Sequence, residues 1–277
     1  MTDLTVRRLQ VDLEMPIQRH WCGGDAFRTA MFNALSMSFP VGEQLFIDSV
    51  KKSLAALPAD TREALATEVQ GFIGQEATHR RIHGRFNAQL AAMGLVNHWE
   101  RRILERRRRL MEPVADPRAW AGVTAATEHW TAIFAQHLLA QTWLLEGAEP
   151  RLAALWQWHS AEELEHRSTA FDLYRALGGS ELWRRRLFRI VSFNFVCDTA
   201  RQTVNNLWHD GSLFKFATWA SAWRTLLGRE GFIRRGFGPW RQYLRTDFHP
   251  QQGDGAGGED WLRAHADIAP PVRQQPA

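Results

Sequence analysis

The sequence predicts an all-α fold, a four-helix bundle followed by additional amphipathic C-terminal helices. Apolar residues recur at helical spacing over segments that exceed 25 residues, and no alternating strand pattern of useful length interrupts them. Gly and Pro mark short turns between these segments. Long helices joined by short turns are typical of an up-and-down bundle.

The first pair of bundle helices is predicted on either side of Pro58. Residues 25–39 and 41–57 form either two helices or one helix kinked at Pro40, because proline removes a helical hydrogen bond. The second helix follows the turn and runs to Met93, where a glycine ends it.

The second pair of bundle helices follows a basic helix at residues 97–111. Asp116 and Pro117 begin the third bundle helix, since proline suits the first helical position, and the helical pattern continues to Leu145. The fourth bundle helix is predicted over residues 150–177.

The chain divides into four predicted segments around a single core. Residues 1–23 form an extended N-terminal arm, and residues 24–179 form the bundle. Residues 180–250 form an aromatic and basic helical extension that packs on the bundle. Residues 251–277, rich in Gly, Gln and Pro, are predicted to be a disordered tail.

Composition indicates a protein that handles apolar surface. The chain has 13 Trp against 2 Tyr and a net charge of +4. Its cations cluster at residues 101–109 and 184–189, which form either solvated helix faces or a contact with an anionic membrane or an acidic partner. A nucleic-acid partner is not expected, because no recognition motif accompanies the charge.

The chain shows no sign of secretion or of a membrane span. Cys22 and Cys197 are too few for a disulfide framework, and the N-terminus lacks the apolar core of a signal peptide. No run of 18 apolar residues occurs. We expect a cytoplasmic location, with peripheral contact at the inner face of the membrane as an option.

The pattern Glu-x-x-His-Arg occurs twice, at residues 76–80 and 163–167. Positions i and i+3 share one helix face, so each Glu/His pair can bind a single metal ion. A glutamate lies about one long helix upstream of each copy, 33 residues before the first and 35 before the second. This order predicts a di-metal carboxylate bundle of the ferritin-like type. The predicted metal ligands are Glu43, Glu76, His79, Glu128, Glu163 and His166.

Charge balance explains why a metal is expected. A carboxylate buried without a partner costs several kcal/mol or takes up a proton. Two divalent cations would balance four glutamates and leave both imidazoles neutral. Oxygen and imidazole ligands without a thiolate favour iron, manganese or zinc, and iron is our first choice.

Two further histidines are candidates for catalysis. His83 lies one turn after His79, and His159 lies one turn before Glu163, so both can point toward the predicted site. They are interpreted as proton carriers or extra ligands, with hydrogen-bonded structural histidines as the alternative. His129 points about 100° away from its neighbour Glu128 on an ideal helix and is a weaker candidate.

Glu162 and two arginines also lie next to predicted ligands. Glu162 competes with Glu163 for the inner helix face, because both can approach His166. Arg80 and Arg167 each follow a predicted ligand histidine and are either partners of the ligand carboxylates or plain surface arginines.

Several longer stretches resemble a bacterial family described as predicted metal-dependent hydrolases, over about residues 5–250. The resemblance implies a helical, ferritin-like metalloprotein, and the family description implies hydrolysis. The stretches that carry it are Gly23–Arg28, Ser36–Glu43, Gly74–His79, Glu128–His129, His159–Arg167 and Phe248–Pro250.

Three functions are consistent with these observations. The first is a dinuclear metal enzyme, with iron favoured, that uses O₂ to oxidise an apolar small molecule or a lipid-like substrate. The second is a metal-dependent hydrolase that uses a metal-bridging hydroxide. The third is a non-catalytic metal-binding or membrane-associated protein. The oligomeric state cannot be read from the sequence.

Overall fold

The computed structural model describes residues 4–272. It contains no strand among these residues, so the predicted all-α fold is confirmed. A π-helical segment, Arg107–Met111, follows α3, and two short 3-10 turns lie at Thr142–Leu145 and Pro250–Gln252. The α-helices are α1 (Ala26–Ala55), α2 (Ala59–Ala92), α3 (His98–Arg106), α4 (Pro117–Ala140), α5 (Pro150–His166), α6 (Thr169–Ala176), α7 (Glu181–His209), α8 (Phe216–Leu227), α9 (Phe232–Gln242) and α10 (Ala256–Ala264).

Four long helices pack against one another at the centre. The helix α1 lies along α2, α4 packs on α5, and the two pairs meet through contacts of α1 with α4 and of α2 with α5. This helical architecture fits the ferritin-like type that the sequence predicts. The specific four-helix bundle stays a prediction.

The helix α1 passes through Pro40 as one helix and not as two. Proline has no N–H, so the carbonyl of Ser36, one turn earlier, loses its helical partner. The side chain of Asn87 on α2 donates to that carbonyl at 2.9 Å. This contact between helices keeps α1 continuous and holds Glu43, one turn after the proline, in helical register.

The fourth predicted helix, residues 150–177, is divided into α5 and α6. The helix α5 ends at His166, and the side chain of Arg167 donates to the carbonyl of Leu164 in its last turn. The same guanidinium donates to the carbonyls of Pro250 and Gly253. We attribute the break to this arginine, which ties the end of α5 to a distant loop.

The predicted disordered tail is wrong over residues 251–272. The helix α10 packs on α5 and buries Trp261 and Leu262. Composition misleads here because two apolar side chains are enough to hold a short polar segment once α5 offers them a surface. Residues 273–277 of the predicted tail lie outside the described residues.

Residues 4–23 contain no helix and lie on the body of the protein. Leu4, Leu9 and Leu13 are buried. The C-terminal segment crosses this arm, and the backbone N–H of Gln10 donates to the carbonyl of Ile268 at 2.7 Å. The helix α7 packs on α1 and α4. The exact division into arm, bundle and extension stays a prediction.

None of the helices within residues 4–272 is both long enough and apolar enough to cross a membrane.

Candidate metal centre

All eight predicted site residues are buried on the four central helices. The helices α1 and α4 supply one glutamate each, whereas α2 and α5 each supply a Glu/His pair and one further histidine. These residues are Glu43 on α1, Glu76, His79 and His83 on α2, Glu128 on α4, and His159, Glu163 and His166 on α5.

The two Glu-x-x-His pairs converge. Glu76 and His79 from α2 and Glu163 and His166 from α5 each offer one ligand atom, and these four atoms lie within 4.8 Å of one another. Within each pair, the glutamate and the histidine lie about one helical turn apart on the same face, as the i, i+3 spacing predicts. The buried cluster could therefore hold a metal ion.

A second group of potential ligands shares His79 with the first. It contains Glu43, His79 and His159, again with ligand atoms within 4.8 Å. Glu128 belongs to neither group that the structure describes, and its Oε2 lies 2.9 Å from Nδ1 of His166. The role of Glu128 as a direct ligand therefore stays a prediction.

Every predicted ligand carries at least one buried polar atom that has no hydrogen-bond partner among residues 4–272. Native proteins rarely leave such atoms unpaired, because burial removes their water without replacement. A cation between them would satisfy carboxylate and imidazole atoms together, so these residues fit a metal. The atoms are Oε1 and Oε2 of Glu43 and of Glu76, Oε1 of Glu128, Oε2 of Glu163, Nδ1 of His79 and Nε2 of His166.

The two predicted catalytic histidines, in contrast, have partners on both ring nitrogens. Nδ1 of His83 lies 2.8 Å from the hydroxyl of Ser36, and Nε2 of His83 lies 2.6 Å from Nδ1 of His159. Nε2 of His159 lies 2.9 Å from Oε1 of Glu163. A continuous hydrogen-bonded chain therefore connects Ser36 to Glu163 through two imidazoles.

Polar groups hold both ends of this chain. The hydroxyl of Ser36 donates to Oδ1 of Asn87 at 2.7 Å. At the other end, a carboxylate at Glu163 accepts from Nε2 of His159.

The surroundings of Glu162 and Glu163 differ. Glu163 is in the first group of potential ligands, whereas Oε2 of Glu162 lies 2.9 Å from Nε2 of His79. Arg7 donates to Oε1 of Glu162 at 3.3 Å. Glu162 thus fixes the orientation of His79 and leaves Nδ1 of that ring facing the cluster.

Arg7 contacts the site although no sequence motif marks it. It lies on the arm and also donates to both carboxylate oxygens of Glu165, at 2.7 and 3.0 Å. The side chain of Gln75 donates to Glu165 as well, at 2.8 Å. No local pattern predicts these contacts, because Arg7 and Glu162 are 155 residues apart in the chain.

The other candidate partners lie elsewhere. Arg80 is exposed, and Arg167 is bound to backbone carbonyls, so neither pairs with a predicted ligand in the described part of the chain. Nε2 of His129 lies 3.1 Å from the carbonyl of Pro239, and its ring packs against Tyr243. Arg167 and His129 therefore support the surrounding structure.

Burial is the largest single effect on the pKa values of the buried glutamates. It raises the pKa of Glu43 and of Glu76 well above the usual range, and the charge of Glu163 adds to the rise. Burial also raises the pKa of Glu128 to about 7, against the opposing effect of His166. Burial therefore favours the protonated forms of Glu43, Glu76 and Glu128. The pKa of Glu163 is lowered instead, because His166 and His159 outweigh its burial.

The pKa values of the buried histidines are shifted in opposite directions. Burial lowers the pKa of His79 and of His83 well below the usual value. Burial also acts to lower the pKa of His166, but the charges of Glu128 and Glu163 outweigh it and raise that pKa to about 9. A metal ion must displace such protons, so its affinity is expected to rise with pH.

An apolar cavity of about 200 Å³ reaches the cluster. Glu43 and Glu163 line it, and exposed Leu110 and Ile190 also border it. A site that combines apolar walls with a few convergent polar groups is typical of small-molecule binding. The walls include Phe39, Leu45, Phe46, Ile103, Val191 and Phe195.

Fold and site together define an all-helical protein with a buried cluster of glutamates and histidines that could hold metal. The sequence model of one family, described as predicted metal-dependent hydrolase, matches residues 5–254, and the chain belongs to that family. The resemblance noted from the motifs is thereby confirmed. A search of curated proteins found no match, and a search of solved structures found none.

Proposed function

We propose that this protein is a dinuclear metal enzyme, with iron as the preferred metal, that uses O₂ to oxidise an apolar small molecule or a lipid-like substrate. One observation carries the proposal: all six predicted ligands have unpaired buried atoms, and an apolar cavity ends at two of them. Two bound ferrous ions would supply two of the four electrons that convert O₂ to water, and the substrate would supply the other two. An external reductant would be needed to return the iron to the ferrous state.

The residues divide into ligands and supports in this proposal. Glu76, His79, Glu163 and His166 would hold metal, and Glu43 lies beside them to extend the site. The supports act on these ligands. Glu162 fixes the ring orientation of His79. Glu128 fixes the ring orientation of His166 through its hydrogen bond to that histidine.

The chain of histidines provides a proton route. His159 holds a proton at Nε2, toward Glu163, and His83 links it to the hydroxyl of Ser36. When Nε2 of His159 gives this proton to the site, Nδ1 of the same ring can take a proton from Nε2 of His83. Neither ring has to move. The apolar walls near Phe39 exclude water and accept a substrate without charge.

Hydrolysis is the second candidate. The family description favours it. A second cavity of about 10 Å³ borders His159 and Glu163 and has room for about one water molecule. In this version His83 and His159 would serve as the acid or base of the reaction, and the metals would stay redox-silent.

Metal analysis of anaerobically purified protein, followed by exposure to air, tests the two candidates. Two irons per chain, a new near-ultraviolet or visible absorption band and O₂ uptake that depends on an added long-chain substrate would support oxidation. Zinc or manganese, an unchanged spectrum and cleavage of a p-nitrophenyl ester would favour hydrolysis. A chain that binds no metal would overturn both, and a loaded but inactive protein would favour a non-catalytic role.

A further inference from the structure

The helix α7 buries several polar side chains and exposes several large apolar ones. A surface helix of a soluble protein normally does the opposite. Phe193, for example, is 70% exposed, whereas Asp198, about one and a half helical turns further along, is fully buried. We use the term α7 outer face for the exposed apolar residues Leu182, Ile190, Phe193, Val196, Val204 and Trp208.

The inward polar groups are paired, so this orientation of α7 is well determined. Gln202 accepts from two backbone N–H groups at the start of α3. Asn206 donates to the carbonyl of Ala30 at 3.1 Å, and Asp198 accepts from Arg102 at 2.7 Å. Rotation of α7 to hide its apolar residues would break these buried contacts.

The exposed apolar surface continues beyond the end of α7. The ring of Trp208 packs edge-on against Phe214, with the ring centres 6.1 Å apart. Phe214 and Phe216 are 84% and 88% exposed, and α8 also exposes Trp219 and Trp223. An exposed apolar patch of several large side chains marks an interaction site on an otherwise soluble surface.

The positive charge around this apolar surface favours an anionic partner. Exposed cations accompany the apolar residues, and the two acids within residues 182–229 already have partners, since Asp198 pairs with Arg102 and Asp210 pairs with Arg19. Two such basic faces would repel each other, whereas an anionic surface would attract them. The exposed cations are Arg186, Arg189, Arg201, Lys215, Arg224 and Arg229.

The cavity opens beside this face. Ile190 belongs both to the α7 outer face and to the cavity lining, and Leu110, which is 64% exposed, lines the same opening. We infer that the α7 outer face, together with Phe214 and Phe216, docks on an anionic lipid bilayer, and that the cavity takes an apolar substrate directly from that bilayer. The docking inference does not depend on the proposed function, whereas the inference of substrate entry rests on it.

Vesicle co-sedimentation of the full metal-loaded chain tests docking. We expect binding to mixed phosphatidylcholine–phosphatidylglycerol vesicles, weaker binding to phosphatidylcholine alone, and loss of binding as salt rises. The double variant Phe193→Ser with Phe216→Ser should lower the partition coefficient by about tenfold or more. Met15→Ser, which removes an exposed apolar side chain from the arm, should leave it unchanged.

A second pair of variants tests the charge. Arg186→Gln with Arg189→Gln should lower binding to the mixed vesicles by about fivefold for each arginine. Arg81→Gln on α2, also exposed, is the control. Binding that ignores lipid charge, or a stable dimer on gel filtration that the Phe193→Ser, Phe216→Ser variant dissociates, would overturn the proposal in favour of a second copy of this chain.

The position of the cavity opening is tested separately. A nitroxide on Leu110→Cys, in a Cys197→Ser background, should lie at the depth of the acyl chains when the protein is bound, as judged by power saturation. A nitroxide on Met15→Cys should stay in water. A water-exposed label at residue 110 of bound protein would exclude entry from the bilayer. Metal content is measured on the same samples, so failure of docking and failure of the metal site are told apart.

Discussion

Glu162 and Glu163 are neighbours with the same side chain and the same burial, yet their surroundings differ. Both oxygens of Glu162 have partners, His79 and Arg7, whereas Oε2 of Glu163 has none within residues 4–272. Hydrogen-bond satisfaction therefore separates a residue that supports a ligand from a residue that is free to bind metal. The same criterion separates His83 from His166.

Replacement of Glu162 tests its supporting role. Glu162→Gln should weaken metal binding by about 10- to 100-fold, because a neutral amide no longer increases the basicity of His79 or fixes its orientation. Competition with a chromophoric chelator measures the change. Glu165→Gln is the matched control, since Glu165 contacts Arg7 and Gln75 but no predicted ligand histidine. Equal losses in both variants would contradict the assignment.

Replacement of Glu76 should have opposite effects on stability and on metal binding. Burial raises the pKa of Glu76, so the metal-free protein bears a cost for this acid at neutral pH. We expect Glu76→Gln to stabilise the metal-free protein by about 1 kcal/mol or more and to abolish the stabilisation by added metal. Thermal unfolding with and without metal gives both values. The exposed acid of the same helix, changed in Glu63→Gln, should alter neither.

At the scale of elements, the arm reaches the site because α2 lacks side chains where the arm crosses it. A Cβ atom at Gly71 would lie 2.6 Å from Cβ of Leu4, and one at Gly74 would collide with Val6. These glycines allow close approach, at the usual cost of glycine in a helix. The next residue of the arm is Arg7, so the two glycines position the guanidinium that holds Glu162.

Substitution of these glycines should separate packing from helix propensity. Gly71→Ala should lower the free energy of unfolding by about 1–3 kcal/mol, because the arm must move. Gly84→Ala on the same helix meets no atom within 4 Å in the described part of the chain and should stabilise by about 0.5–1 kcal/mol. Urea denaturation measures both. Weaker metal binding in Gly71→Ala alone would confirm that the arm supports the site.

At the scale of the whole molecule, buried charge couples folding to metal binding. Burial raises the pKa of Glu162 to about 8, and nearby carboxylates overcome burial to raise the pKa of His166 to about 9. The usual values are 4.5 and 6.5. Between pH 7 and 9 the folded metal-free protein therefore holds protons that the unfolded chain has already released.

The metal-free protein should thus lose stability as pH rises. Stability changes by about 1.4 kcal/mol per pH unit for each proton that only the folded state holds, so we expect a loss of about 3 kcal/mol from pH 7 to 9. Metal replaces these protons, and the loaded protein should show a much smaller decline. Urea unfolding at three pH values, with chelator or with metal, checks the sign. A flat profile for the metal-free protein would show that these groups do not retain their protons.

The sequence by itself determined the all-α class, the long central helices and the six candidate ligands, because helical periodicity and i, i+3 spacing are local properties of the chain. Only the tertiary structure decided that α1 continues through Pro40, that residues 251–272 are ordered, that Glu162 supports His79 and that Arg7 joins the site. Each of these depends on contacts between residues far apart in the chain, which bury or pair a group that its own neighbours leave unsatisfied. Local patterns do not encode such contacts, and the packed helices create them.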